Sequence, residues 1–157
     1  MSGFNVKGER RLFEAIDRLS EAISDQRKRG WQRNVDIRLD YQRRHMDSEG
    51  AGGWTPLSDE YRLRKIESVG AIPILQYSGH MYRSLTQEGA PDYIREESAD
   101  SLMVGTSDFK ARFHHEGRGR LPRREVIVIT DEEGRKHFEV IEEDYEGIAR
   151  NLGFRVI

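Results

Sequence analysis

One stretch of the sequence stands apart from the rest, Phe109-Lys-Ala-Arg-Phe-His-His-Glu-Gly-Arg-Gly-Arg-Leu-Pro-Arg-Arg-Glu125. It holds six basic and two acidic residues, which gives it a local charge of +4. An apolar run, Val126-Ile-Val-Ile129, follows directly. Packing in a hydrophobic core does not account for such a composition. The stretch is therefore a candidate catalytic site, phosphate-binding loop or assembly contact, and its neighbours define the fold class.

The residues that follow this stretch predict a strand and then a helix. The continuous apolar character of residues 125–130 predicts a central strand, buried on both faces. Thr130-Asp-Glu-Glu133 has the spacing of a capping box. The final helix carries an apolar face at helical spacing, and Gly153 suits the position just after its last turn. The residues of that face are Phe138, Ile141, Tyr145, Ile148 and Leu152.

The residues that precede the stretch begin with a long helical region, predicted over residues 8–48. Apolar side chains recur there on one helix face, at Leu12, Ile16, Leu19, Ile23, Trp31, Val35 and Leu39. Gly30 interrupts the pattern, so the region is either one long helix or a helix pair. Residues 47–53 contain three glycines and are predicted to form a flexible loop. Ser58 is a suitable N-cap for a helix over residues 59–69.

The middle of the chain predicts a short helix and a hairpin. The helix opens at Ser78 and turns Met81 and Leu85 inward, and the hairpin strands cover residues 93–98 and 101–106. A second short helix over residues 108–116 leads into an arginine-rich loop at 117–124. The whole order predicts a single α+β domain over residues 1–157, whose α+β core spans 54–157. Its sheet is small, mostly antiparallel and of three or four strands, with an open edge that needs a cover or a partner.

Composition limits the classes of function. The net charge is −2, so there is no general case for nucleic-acid binding. Charged residues make up 34% of the chain, and 21 of the 26 cationic residues are arginine, the cation favoured at protein interfaces. The absence of cysteine excludes disulfides and thiolate chemistry. No apolar run is long enough for a membrane span, and the first residues lack the apolar segment of a signal peptide.

The opening stretch permits several kinds of chemistry. His114, His115 and Glu116 suggest a metal, but adjacent residues of a helix point about 100° apart and cannot easily converge on one ion. Residues 117–120 suggest a phosphate loop, yet a proline and a strand follow where a helix N-terminus is needed. No serine lies in a nucleophile elbow. The sequence therefore indicates no catalytic residue, metal or cofactor, and leaves nucleic-acid binding by residues 110–124 and a metal-dependent hydrolase as alternatives.

The distribution of charge favours assembly. Residues 131–147 hold eight acidic and two basic residues, a local charge of −6, against +4 in residues 109–125. The basic loop and the acidic helix could meet across a subunit boundary or within one subunit. The residues predicted for contacts between subunits or rings are His114, His115, Glu116, Arg118, Arg120, Arg123, Arg124, Glu142, Glu143 and Asp144.

Several motifs, taken in order, resemble one family. They are Trp54-Thr-Pro-Leu-Ser58, Lys65, Ile74-Leu-Gln-Tyr-Ser-Gly-His-Met-Tyr-Arg-Ser-Leu85, Val104-Gly-Thr106, Ala111-Arg-Phe-His-His-Glu-Gly117 and Leu121-Pro-Arg-Arg124. This ordered set resembles the phage virion morphogenesis family, which comprises tail-completion and head–tail joining proteins of tailed phages and Mu-like prophages. The resemblance covers residues of about 10 to 150. Members often carry an aromatic residue before the glycine that matches Gly117, where this chain has Glu116. They also often carry one soon after the arginine pair that matches Arg123-Arg124, where this chain has Glu125-Val126.

The resemblance implies a structural protein without catalytic activity that acts in tail completion at the virion neck. It implies a homo-oligomeric ring, with a hexamer favoured, and as partners the head-completion or connector proteins and the tail tube or terminator. DNA would pass through the lumen, where nonspecific contact is compatible with this role. The protein would be found in the virion, and in the host cytoplasm during assembly, without a membrane partner. The residues expected to anchor the fold are Trp54, Leu57, Leu75, Gly79, Leu85, Gly117 and Pro122.

Overall fold

The structure, a computed structural model, describes residues 9–98, 101–151 and 153. Its elements are α1 (Glu9–Asp47), α2 (Asp59–Val69), α3 (His80–Thr86), β1 (Tyr93–Glu97), β2 (Leu102–Thr106), α4 (Phe109–Glu116) and α5 (Asp131–Asn151). The α+β class, the long N-terminal helix and the C-terminal helix are confirmed. The predicted side-chain positions of Leu12 and Leu152, and the turn at residues 99–100, lie outside the described residues.

Helix α1 is one continuous helix of 39 residues, and α5 packs along it in the opposite direction. Three pairs define this direction: Gln26 lies against Gly147, Asn34 Oδ1 lies 2.6 Å from His137 Nδ1, and Tyr41 Oη donates to Glu132 over 2.5 Å. Gly30 does not break α1. A Cβ at Gly30 would lie 3.1 Å from the Asp144 carboxylate, so the glycine allows the two helices to approach closely.

The described residues form a sheet of two strands. β1 and β2 pair antiparallel with Tyr93 opposite Thr106 and Glu97 opposite Leu102. This confirms the hairpin and makes the prediction of three or four strands wrong. The strand predicted at residues 125–130 is an extended segment that pairs with no strand of the described chain, because side chains of α1 donate hydrogen bonds to its carbonyl groups.

Side chains of α1 replace a neighbouring strand along this extended segment. Gln42 Nε2 donates to Val126 O over 2.8 Å, and Arg38 Nη1 donates to Val128 O over 2.9 Å. The two donors are four residues apart on a helix, a rise of about 6 Å. Their acceptors are two residues apart on an extended chain, a span of about 6.7 Å. The matching spacings let one helix face bind the backbone of an extended segment.

The sequence predicts that this segment is buried on both faces, and this prediction is wrong. Val126 is fully buried and Val128 half-buried, whereas Ile127 and Ile129 are exposed. Residues of an extended chain alternate between two sides, and only one side of this segment faces α1. The apolar run therefore leaves two isoleucines on the surface.

The hydrophobic core lies where the C-terminal end of α1 meets α3, α4 and the loops between them. Its buried residues are Met46, Trp54, Ile74, Met81, Leu85, Ala111 and Val126. Trp54 closes the glycine loop over this core: a Cβ at Gly50 would lie 2.5 Å from the indole, and φ at Gly50 is +68°. Residues 47–53, predicted as a flexible loop, form consecutive hydrogen-bonded turns beneath the indole.

Helix α5 turns only part of the predicted face inward: Ile141 and Ile148 are half-buried and line a cleft with α1. Phe138 and Tyr145 are 68% and 64% exposed, while Glu133 is fully buried and Val140 lies inward. Thr130 Oγ1 accepts from Glu133 N over 3.1 Å, as in a capping box, but the Glu133 carboxylate binds Arg38 Nη1 at 2.7 Å. This buried ion pair rotates α5 so that two of its aromatic rings lie at the surface.

Candidate interaction site

A cavity of about 840 Å³ lies between α2, residues 74–78 and the loop that follows α4. We name it the basic groove. Its apolar lining includes Leu57, Leu75, Met81 and Leu121, with two tyrosines, Tyr61 and Tyr77. Its charged lining consists of the cations Arg64, Lys65, Lys110, Arg120 and Arg124. No carboxylate lines the groove among the described residues, so its surface is positive as well as apolar.

Two of these cations are buried and bind main-chain carbonyls. Arg124, 4% exposed, donates from Nη2 to Thr55 O over 2.7 Å and from Nε to the same oxygen over 3.0 Å. Lys65 Nζ donates to Ile72 O over 2.9 Å and to Pro73 O over 2.5 Å. Burial lowers the pKa of both groups, and the charge of Glu49 opposes that shift. Carbonyl partners bring no formal negative charge, so both cations add positive potential to the wall of the groove.

The loop at residues 117–124 is held by its two ends. Gly117 ends α4 in the left-handed region, with φ of +69°, and a Cβ there would lie 3.0 Å from the Arg123 backbone. Arg124 N donates to His114 O over 2.8 Å, so the chain returns to α4 after the loop. This closure places Arg120, Leu121 and Pro122 in the wall of the groove.

The remaining arginines of the loop differ in their partners. Arg118 pairs with Glu116, which also binds Arg112 Nε at 2.7 Å. Arg123 Nη2 lies 2.6 Å from Glu125 Oε1, with the arginine side chain exposed. Arg120 has no carboxylate partner among the described residues, and the same holds for Lys110. The free positive charge of this region is therefore at Arg120 and Lys110, both in the groove.

His114, His115 and Glu116 do not converge. The half-buried His114 lines the groove and its Nδ1 atom has no described hydrogen-bond partner; burial, with the charge of Arg124, lowers its pKa. His115 Nδ1 accepts from Ile127 N over 3.4 Å. Glu116 binds arginines, which lower the pKa of its carboxyl group. Over the described residues, no group of three or more acidic or histidine side chains could hold a metal ion.

Helix α2 carries an uncovered apolar surface. Tyr61, Leu63, Ile66 and Val69 are all exposed, and the single buried residue of this 11-residue helix is Lys65. We name these four residues the α2 apolar face. Ser58 Oγ caps the helix by accepting from Tyr61 N over 3.4 Å. An isolated helix of this length is marginal in water, so this face is suited to contact with another molecule.

The acids of α5 predicted for subunit contacts lie in different surroundings. Glu143 Oε2 binds Arg33 Nη2 at 2.5 Å, and Asp144 faces Gly30 with its Oδ1 buried and without a described partner. Glu142 is exposed. None of the described α5 acids pairs with an arginine of the 117–124 loop. Within the described chain, the basic loop and the acidic helix are separate surfaces.

The sequence predicts that Arg124 contacts another subunit, but in the structure it is a buried residue of the fold. Its guanidinium is buried against residues 55–56, so it holds the loop to the core and is not an accessible cation. Arg118, Arg120 and Arg123 remain on the surface.

The residues expected to anchor the fold lie in or beside the core. Trp54 and Leu85 are buried, and Leu57 and Leu75 pack against them. Gly79 adopts a left-handed conformation at the start of α3, where a Cβ would lie 2.7 Å from Arg83 Nη1. Pro122 lines the basic groove.

The sequence prediction missed the α2 apolar face and the place of Tyr77 in the groove. A signal for the first was present. At 100° per residue, Tyr61, Leu63, Ile66 and Val69 spread over more than half of the circumference of a short helix. One contact with the core cannot cover so wide an apolar surface.

The chain matches no protein-family model, no curated protein and no solved structure at a significant level. Among the described residues, no helix is both long and apolar enough to cross a membrane.

Proposed function

We propose that this protein is a structural subunit of a phage neck that acts in tail completion and head–tail joining. The resemblance in residues 10–150 supports this role. The observation that carries it in the fold is the α2 apolar face, since α2 buries one side chain of its own and exposes four apolar ones. Burial of an apolar side chain of this size contributes about 1.5–3 kcal/mol. A second molecule that covers the α2 apolar face would bury these side chains.

The subunit assembles as a ring, with six copies favoured. Two features support repeated contacts between copies. The chain carries a positive groove at one place and an acidic helix, α5, at another. A contact between two different surfaces of one chain is head-to-tail, and such contacts close into rings. The partners at the two ends of the ring are the head-completion or connector proteins and the tail tube or terminator, in the virion and in the host cytoplasm during assembly.

Deletion of the coding sequence from a phage or prophage that carries it tests the role. We expect electron microscopy to find full heads and separate tails, and purified protein to restore joined, infectious particles. Arg123→Glu, at an exposed side chain outside the core, is expected to fold and to restore fewer particles. Normal infectious particles from the deletion would overturn the proposal.

Nucleic-acid binding by residues 110–124 is the second candidate. Arg120 and Lys110, which have no described carboxylate partner, favour it, whereas the pairing of Arg118 and Arg123 with glutamates opposes it. A module of this kind binds DNA with a steep dependence on salt. Tight, salt-dependent DNA binding by the purified protein, combined with intact joining in the deletion, would favour this candidate over the neck role.

A further inference from the structure

The outer side of α5 carries exposed carboxylates, which are missing from the described lining of the basic groove, beside exposed aromatic rings. Phe138 and Tyr145 lie seven residues apart, about 10 Å along one side of the helix, and both rings are exposed. Glu142 projects between them and Glu139 flanks them, and both are exposed. We name Phe138, Glu139, Glu142 and Tyr145 the α5 outer face. Neither glutamate has a described cationic partner.

The two surfaces complement one another in charge and in polarity. The groove offers apolar walls with Arg120 and Lys110, cations that have no carboxylate partner in the described chain, and the outer face offers aromatic rings beside carboxylates that have no described cationic partner. Opposite potentials on facing surfaces speed association and select the partner. The buried, carbonyl-bound Arg124 and Lys65 add positive charge to the wall without a competing carboxylate among the groove residues.

The groove is not filled from within the described chain. Its lining comes from α2, α3, α4 and the segments around them, and includes no residue of α5. Helix α5 packs on α1 with Glu133 and Val140 inward. Phe138 is 68% exposed, and Tyr145 is 64% exposed although it borders a cleft between the two helices.

We infer that the basic groove of one copy receives the α5 outer face of a second copy. The inference rests on the proposed function, because it specifies which surfaces join neighbouring subunits of the ring. In this contact Phe138 and Tyr145 enter between the apolar walls, and Glu142 pairs with Arg120 at the rim. Since groove and helix are distinct surfaces, each copy uses one of each, and the contact repeats from copy to copy.

Cysteine pairing across the contact tests the inference directly, because the natural chain contains no cysteine. Equal amounts of the single variants Arg120→Cys and Glu142→Cys are mixed and treated with a short thiol-reactive bismaleimide, because an arginine and a glutamate that pair through their side chains hold their backbones farther apart than a disulfide spans. We expect a crosslinked dimer that contains one copy of each variant. The matched control pairs Arg120→Cys with Glu96→Cys, a cysteine at an exposed position of β1, and is expected to give background crosslinking only.

A second arm uses substitutions that leave the core intact. Phe138→Ser alters a side chain that is 68% exposed, and Met103→Ser alters one that is 51% exposed on β2. We expect Phe138→Ser to raise the dissociation constant between copies at least tenfold and Met103→Ser to leave it within twofold. Both variants should melt within a few degrees of the natural protein.

The outcomes separate this inference from the proposed function. Oligomers in light scattering without the Arg120–Glu142 crosslink, and with an undiminished affinity in Phe138→Ser, would overturn the groove contact and leave the neck role in place. A monomer with no specific crosslink would also overturn the contact, and the joining assay on the deletion would then decide the function by itself.

Discussion

Single residues at the junction of α1 and α5 show how burial governs charge in this protein. Burial by itself would raise the pKa of the Glu133 carboxyl group. Hydrogen bonds from His137 and Arg38, and their charges, outweigh that effect and hold the pKa below its ordinary value. The carboxylate is therefore the stable form of Glu133 in the fold, and Arg38 is its partner at 2.7 Å.

Glu133→Gln is expected to lower the free energy of unfolding by about 3 kcal/mol at pH 7, because it leaves Arg38 in a buried site without its counter-ion. The lowered pKa of Glu133 sets the pH window. The carboxylate contributes its stability fully above the unfolded value of about 4.3 and loses it as the pH falls through the lower, folded value. Urea denaturation at pH 7 and at pH 3.5 should therefore show a difference between variant and natural protein that narrows in acid.

The control for this substitution is Asp40→Asn, which removes an ion pair with Arg44 whose side chains are both more than half exposed. An exposed pair of this kind contributes at most about 1 kcal/mol. Equal losses of stability in the two variants at pH 7 would contradict the assignment of Glu133 as a buried, paired carboxylate.

At the scale of elements, the sequence predicts the helix ends and the hairpin, which are determined by residues close together in the chain. Ser58 and Asp108 begin α2 and α4 as their capping chemistry requires, and Gly117 ends α4 in a left-handed conformation. The hairpin follows from two alternating strands close in sequence. These elements depend on residues that are close together in the chain, so they can be predicted from the sequence.

The extended segment at residues 125–130 depends on a distant element and could not be predicted. Its apolar run has the character of a buried strand, but whether its carbonyls bind a strand or side chains is decided by Arg38 and Gln42, more than 80 residues earlier in the chain. The orientation of α5 likewise depends on a distant partner, since Arg38 binds the buried Glu133, and part of the predicted apolar face of that helix is exposed. For the candidate site, the sequence indicated the basic loop but not the basic groove. The groove forms only where α2 and the loop lie side by side, and the sequence does not show that these two elements are neighbours.

The close approach of α1 and α5 gives a prediction on two glycines. Gly30→Ala places a methyl group 3.1 Å from the Asp144 carboxylate, so this carboxylate, whose Oδ1 is buried, must shift by a few tenths of an ångström. Overpacking of this kind costs about 1–3 kcal/mol. Gly134→Ala, also within a helix, meets no atom within 4 Å and should stabilise the protein by about 0.5–1 kcal/mol through helix propensity. Thermal unfolding of both variants measures the difference.

The double variant Gly30→Ala with Asp144→Ala isolates the cause. If the carboxylate is what the new methyl group meets, removing it restores most of the stability lost in Gly30→Ala. Additive effects of the two substitutions would show that the helices do not meet at this pair.

At the scale of the whole molecule, the balance of buried and exposed apolar residues favours a protein that completes its burial by association. Leu63 is 58% exposed on α2, and Phe13 and Ile16 are exposed near the start of α1. Apolar side chains grouped on one surface, as in the α2 apolar face, are typical of an interaction site. The described chain thus leaves part of its apolar surface exposed.

Light scattering at low and high salt measures this association. We expect the natural protein, of 18.3 kDa per chain, to form a discrete oligomer that salt weakens, since charge pairing contributes to it. Leu63→Ser should shift the mass towards that of a single chain without lowering the melting temperature. A variant that unfolds instead would show that Leu63 supports the fold and is not a contact residue.

The uninterrupted course of α1 has a mechanical consequence. A helix of 39 residues is about 58 Å long, and the hydrophobic core holds it near Met46, close to its C-terminal end. Helix α5 packs along it as far as Gln26, so the two helices form one arm that projects from the core. A rotation of this arm by about 5° about the end near Met46 moves the far end of α1 by roughly 5 Å at this length. A small reorientation of the core, as on docking of a partner beside it, is therefore amplified into a displacement at the far tip comparable to one turn of a helix.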